Sequence, residues 1–178
     1  MEQAAEIKDR VREFVMEQFG DAVLEDDEFR GDVSYTIKAD RLVEICEALH
    51  GSAELDVKLL SDITCVDWLG DEQEEKKGRF EVVYNLYSIT HHFRFFLKVR
   101  LDEDDTKVES LVDLWPGANW MEREVWDLFG IEFVGHPQLT KILTPDELEG
   151  HPLRKDYPLT WEQPRFSFNK DDPPEVIK

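Results

Sequence analysis

All eight prolines of this 178-residue chain stand at position 116 or later, and the first 115 residues contain none. Proline fixes φ and removes a backbone donor, so a proline-dense stretch cannot be built mainly of helix or central strand. From Ile131 to Lys178 seven of 48 residues are proline, about three times the usual ~5%. The same half of the chain holds four of the five tryptophans, Trp115, Trp120, Trp126 and Trp161. An aromatic, proline-rich segment is not the composition of a solvated linker. It predicts extended chain laid on a surface. The sequence therefore divides into a folded unit, residues 1–130, and an extended tail, residues 131–178.

Charge and cysteine content exclude several functions. Forty-one acids against 21 bases give a net charge of −20, which opposes binding to nucleic acid or to anionic lipid. Cys46 and Cys65 cannot supply the four thiolates of an iron–sulfur cluster or a Cys₄ zinc site. No apolar run approaches the ~20 residues of a membrane span; even Phe93–Val99 carries Arg94 and Lys98. The opening MEQAAEIKDR has no apolar core of a secretion signal. These features predict a soluble, intracellular chain with reduced thiols.

The first 115 residues read as an α+β unit: a mixed or antiparallel sheet of about four strands with flanking helices. Ala4, Ile7, Val11, Phe14, Val15 and Phe19 follow helical spacing, with Gly20 placed to cap the end. Asp21–Asp32 is acidic and aperiodic, and reads as a loop. Val33, Tyr35 and Ile37 alternate with Ser34, Thr36 and Lys38, the pattern of a half-buried strand. Asp40 is placed to cap a second helix that buries Leu42, Ile45, Cys46 and Leu49 and closes at Gly51. Val57–Val66 gives a weaker strand signal. After the charged surface loop Asp71–Gly78, Phe80–Tyr87 and Phe93–Leu101 form two strands close enough for an antiparallel hairpin.

Residues 115–130, WPGANWMEREVWDLFG, carry the most information. Asn119 and Glu122 have the spacing of a capping box, and Gly130 suits a left-handed helix end. Met121, Val125, Leu128 and Phe129 form an apolar stripe. Arg123 and Asp127 lie one turn apart on the opposite side, where they can pair. Period alone describes a solvated charged face. The flanking Glu122 and Glu124 could instead hold Arg123 for a partner's carboxylate, and an exposed Trp126 beside it would serve as an interface anchor.

Gly135-His136-Pro137 recurs as Gly150-His151-Pro152. Two histidines raise a metal hypothesis with Glu132, Asp146 or Glu149 as third ligand, but the spacing matches no compact metal motif. Hydrogen bonding to backbone or to a partner accounts better for both. His91-His92 falls at a hairpin tip, where neighbouring side chains diverge. No G-x-S-x-G, G-x-G-x-x-G or G-x-x-x-x-G-K is present, and neither cysteine lies near a histidine in sequence. No self-sufficient active site is legible, and neither a bound metal nor a bound cofactor is expected. The stretch Gly150-HPLRKDYPL places Arg154, Lys155, Asp156 and Tyr157 among prolines, and adjacent bases in so acidic a chain point to a specific acidic acceptor.

With Glu122-REVWDLFG, Gly135-HP and Gly150-HPLRKDYPL in that order, residues 115–159 resemble the C subunits of bacterial NADH-quinone oxidoreductase. These are the counterparts of a peripheral-arm subunit of mitochondrial respiratory complex I. Thr140 departs from the family pattern, which usually has a base there, as does Leu148, where an aromatic is frequent. The upstream region carries little family signature.

The resemblance implies a non-catalytic subunit of the peripheral arm of a proton-translocating NADH:quinone oxidoreductase, on the cytoplasmic side of the membrane. It implies no cofactor in this chain: FMN, iron–sulfur clusters and quinone belong to partner subunits. Its neighbour would be the D subunit of the same assembly, over which the tail runs. The interface residues would be Glu122, Arg123, Glu124, Trp126, Asp127, His136, His151, Arg154, Lys155, Asp156 and Tyr157. Similar subunits serve membrane-bound hydrogenases and ferredoxin-fed quinone reductases. A free-standing binding or assembly module, and a metal-dependent hydrolase using His136 and His151, are the alternatives outside this class.

Overall fold

A computed structural model describes residues 2–158; the rest of the tail, including Trp161, lies outside the described residues. The elements run α1 (Glu2–Phe19), β1 (Val23–Phe29), β2 (Asp32–Ile37), α2 (Leu42–Gly51), β3 (Leu59–Asp67), β4 (Phe80–Ser88), β5 (Phe93–Leu101), β6 (Lys107–Glu109), α3 (Ala118–Phe129) and β7 (Glu132–Val134). Five strands form a mixed sheet in the order β1-β2-β5-β4-β3, and β6 and β7 make a separate parallel pair. Within the large sheet only β2 and β5 run parallel.

The strand register explains the core. Tyr35 pairs with Leu97, Leu97 with Tyr84, and Tyr84 with Ile63, so one row of buried side chains crosses four strands. Ile7, Val11 and Val15 of α1, Leu42, Ile45 and Leu49 of α2, and Val125 of α3 join the same buried cluster. Alternation in the strands and helical spacing in α1 and α2 thus meet in one apolar layer. The hairpin β4–β5 forms as its sequence predicts, with Ser88 opposite Phe93 at the closing end.

Three expectations are corrected. Asp21–Asp32 is not a loop: it contains β1, a fifth strand. It has no apolar period because none of its side chains is buried, and on an edge strand its charges discourage pairing with other chains. Arg30 and Gly31, with φ of 55° and 91°, make the two-residue turn into β2, as right-twisted hairpins prefer. Second, Asp40 caps nothing; it lies inside a 3-10 turn, Ala39–Arg41, that leads into α2. Third, Gly20 follows α1 without a left-handed φ. It is needed because a Cβ there would lie 2.6 Å from the Met16 carbonyl oxygen.

Beyond β7, the described residues 135–158 contain no helix or strand. They form an irregular strap that returns across α3 and the β3–β4 end of the sheet.

Candidate functional site

The N-terminus of α3 is not built as a capping box. Gly117 is the capping residue, and no side chain caps the helix there. Glu122 is fully buried, accepting the Leu111 N–H at 2.7 Å and the Ser110 hydroxyl at 2.6 Å. Burial raises its carboxyl to about 7, against the lowering by those two donors. The capping spacing is real, but tertiary burial claims the side chain: α3 lies on the sheet, and Glu122 ties it to the segment before it.

Arg123 and Asp127 do not pair with each other. Arg123 donates to the Thr140 carbonyl at 3.0 Å, the Thr140 hydroxyl at 2.9 Å and the Lys141 carbonyl at 3.3 Å. Asp127 is buried, and its Oδ2 accepts the N–H groups of Ile142, Leu143 and Thr144 at 3.0, 2.9 and 2.9 Å. Burial alone would raise this carboxyl; the Thr144 hydroxyl and the three N–H groups outweigh it and hold it at about 2. His136 Nε2 lies 3.1 Å from the Asn119 carbonyl, and its Nδ1 accepts the Gln138 N–H. Asn119, Arg123 and Asp127 stand one turn apart on a single line of α3, and they engage strap residues 136, 140–141 and 142–144 in the same order. The strap therefore runs parallel to the helix along that line. Lys141 turns inward to the carbonyls of Pro145, Asp146 and Leu148.

The second half of the strap closes the helix C-terminus. His151 Nδ1 bonds the Asp127 carbonyl at 2.9 Å, the Leu153 N–H bonds the Leu128 carbonyl at 3.1 Å, and Arg154 Nε bonds the Phe129 carbonyl at 2.6 Å. These carbonyls are the acceptors a helix end leaves open. Gly130 takes the left-handed conformation its sequence predicts, φ 76°, and a Cβ there would lie 2.5 Å from His151 and 2.7 Å from Arg154. Tyr157 packs against Gly150.

Arg79, which nothing in the local sequence distinguishes, anchors the strap to the sheet. Its side chain is buried, bonding Asp67 through both Nε and Nη2, Glu103 at 2.7 Å and Asp156 at 2.7 Å. The Lys155 N–H also bonds Asp67, and Lys155 Nζ bonds the Leu69 carbonyl. The guanidinium groups of Arg79 and Arg154 both lie over the Phe80 ring, at 4.8 and 4.9 Å. Burial raises the Asp67 carboxyl, but Arg79 and the Lys155 and Leu69 N–H groups bring it below its usual range.

Of the residues read from sequence as an interface, Glu124 is exposed and Lys155 and Asp156 lie on the surface. Trp126 is half-buried and packs on the core rather than projecting. The exposed aromatic of α3 is Trp120, 59% accessible, with Leu143 at 61% and Leu153 at 52% on the strap. Sequence reasoning misses Trp120 because it stands among helix residues of mixed character, on one line with Leu128 at the border of the apolar stripe.

Chemically, this arrangement holds shape. Burial pushes the Cys65 thiol up to about 12 and the Cys46 thiol higher still, so neither is a thiolate at neutral pH. Among the described residues no three His, Cys, Asp or Glu side chains gather to hold a metal ion, and no helix is long and apolar enough to cross a membrane.

Residues 35–163 match the sequence family described as "Respiratory-chain NADH dehydrogenase, 30 Kd subunit". The chain is 49% identical over 151 residues to the C subunit of NADH-quinone oxidoreductase from Roseiflexus sp. (strain RS-1), covering 85% of this chain and 84% of that one. It is 45% identical over 143 residues to the corresponding C subunit of Geobacter sulfurreducens, covering 80% and 85%. Among solved structures, a trypsin-resistant fragment of Nqo5 aligns with a TM-score of 0.62 at 34% identity, over 75% of this chain and 99% of the fragment. A chain of an archaeal membrane-bound sulfane sulfur reductase aligns with a TM-score of 0.70 at 26% identity, over 86% of each.

Proposed function

The chain belongs to the family of C subunits of respiratory-chain NADH dehydrogenase, and from that membership we propose that it is a non-catalytic, shape-giving subunit in the peripheral arm of a proton-translocating NADH-quinone oxidoreductase. One observation carries this reading. The charged residues of the family-like motifs are spent inside the chain: Glu122 on Leu111, Arg123 on Thr140, Asp127 on the strap, and His151 and Arg154 on helix carbonyls. They build a helix-and-strap surface in which each of these side chains is committed to the chain's own groups.

In this reading FMN, the iron–sulfur clusters and quinone are held by other subunits, and this chain supports the path of electrons from NADH to quinone by positioning its neighbours. The principal neighbour is the D subunit, on the cytoplasmic side of the membrane. Glu124, the outer edge of Trp126, Lys155 and Tyr157 meet the partner. Glu122, Arg123, Asp127, His136, His151, Arg154 and Asp156 act on it indirectly, by setting the shape of the surface.

The likeness to a chain of the sulfane sulfur reductase favours a second reading, in which this subunit serves a related complex with another electron donor or acceptor. Purification of the tagged chain from native membranes separates the two. Recovery with a D subunit and NADH:quinone reductase activity supports the first. Recovery with a hydrogenase or sulfur-reducing partner supports the second, and recovery of the chain alone overturns both.

A further inference from the structure

We propose that the outward side of α3 is a docking groove for an apolar segment rich in lysine and arginine, contributed by a neighbouring subunit. This rests on the reading above and adds the site and the chemistry of its occupant.

The groove follows from how the strap lies on the helix. The line Asn119–Arg123–Asp127 is covered, because strap residues 136–144 bond to it turn by turn. On the adjacent line Trp120–Glu124–Leu128 the strap hydrogen-bonds no side chain among the described residues. Trp120 and Glu124 are exposed on successive turns, and Leu128 continues the line half-buried. The strap forms one wall, where Asp127 presents Leu143 outward, and Leu153 closes the far end through its bond to the Leu128 carbonyl. An exposed Trp and two exposed leucines on one rigid frame have the composition of an interface core rather than of ordinary surface.

Charge selects the occupant. Glu124 stands exposed on the Trp120 line and makes no ion pair among the described residues, and the strap beyond Leu143 carries the exposed acids Asp146 and Glu149, likewise without an ion pair there. The bases beside the covered line are held by the chain itself: Arg123 by Thr140 and Lys141, and Lys141 by three strap carbonyls. The open line is therefore apolar at Trp120 and Leu128 and acidic at Glu124 between them, beside a strap that carries further acids, in a chain of net charge −20. A segment with apolar side chains toward Trp120 and cationic ones toward Glu124 complements both features.

The test uses the assembled complex. Trp120 is replaced by the photo-crosslinking residue benzoylphenylalanine, the complex is purified by a tag on another subunit and irradiated, and the linked peptide is identified by mass. A link to an apolar, Lys/Arg-rich segment of a neighbouring subunit is expected. A link to an acidic segment, to residues 159–178 of the same chain or to a second copy, or no link at all, overturns the proposal. In parallel, Trp120→Ala should weaken association with the rest of the complex roughly 30-fold or more, the scale of an interface hot spot. Glu124→Lys should also weaken it, with the unfolding of both isolated variants unchanged. Normal recovery of both variants overturns the groove while leaving subunit membership intact. Failure to recover the wild-type chain in any complex strikes the broader reading instead.

Discussion

Arg79, just before β4, and Asp156 of the strap are 77 residues apart in sequence, yet Arg79 Nη2 lies 2.7 Å from Asp156 Oδ1. The same guanidinium bonds the buried Asp67. One cation thus neutralises a carboxylate in the sheet and fastens the returning chain to it. The two acceptors are not equivalent: Asp67 is shielded from water, whereas Asp156 is half-exposed.

Arg79→Met should therefore cost about 3–5 kcal/mol, because it strands the buried Asp67 carboxylate. Asp156→Asn removes only a half-exposed partner and should cost under ~1 kcal/mol. Urea denaturation of the two variants compares them. Equal losses would contradict the ranking, and Arg79→Met combined with Asp67→Leu should recover part of the larger one.

Gly130→Ala should destabilise by roughly 2–4 kcal/mol. The residue sits at φ 76°, and the added methyl would collide with His151 and Arg154. Because both side chains belong to the strap, limited proteolysis should find residues 150–158 opened first. A variant as stable and as protease-resistant as wild type would show that the strap is not seated on Gly130.

Stability should fall between about pH 4.5 and 7 through Glu122. Its carboxyl is raised from the usual 4.5 to about 7 by burial, so the folded state holds the proton more tightly than the unfolded state does. The contribution is fully present below 4.5 and is lost as pH rises through 7. At ~1.4 kcal/mol per pH unit between the two values, the change is about 3 kcal/mol. Glu122→Gln keeps an acceptor for the Leu111 N–H and cannot ionise, so its unfolding free energy should lack this slope. A slope equal to wild type in the variant assigns the effect to another group.

Arg123→Ala should cost about 1–2 kcal/mol in the isolated chain, since its acceptors are the chain's own Thr140 and Lys141. Thermal unfolding and proteolysis of residues 136–144 measure this. Unchanged unfolding together with poor recovery of the assembled complex would instead make Arg123 a direct contact to the partner.

Local pattern suffices for much of the fold. The alternation in Phe93–Leu101, the helical spacing of Ile7, Val11 and Val15, and the left-handed glycine after Phe129 are each determined by neighbours within a few residues, and each is present in the structure. β1 is hidden because none of its side chains is buried, so no apolar face imposes a period. The motif Glu122-REVWDLFG is legible as a unit, and its membership in a family of respiratory subunits with it. The use of each charge is not. Glu122 reads as a cap and Arg123 and Asp127 as a pair, because within one helix those are the available partners.

Tertiary structure supplies stronger ones. The strap delivers a carbonyl pair to Arg123 and three N–H groups to Asp127 from far along the chain, and the sheet's packing buries Glu122. A short-range rule assigns a side chain to the partners nearest in sequence. A buried charge goes to the partners that satisfy it once water is removed, and those are chosen by how distant segments meet. The sequence by itself determined the three helices and the strands β2 to β5; only the folded chain revealed β1, β6 and β7 and decided that its motif charges hold the strap down and leave Trp120 and Glu124 open.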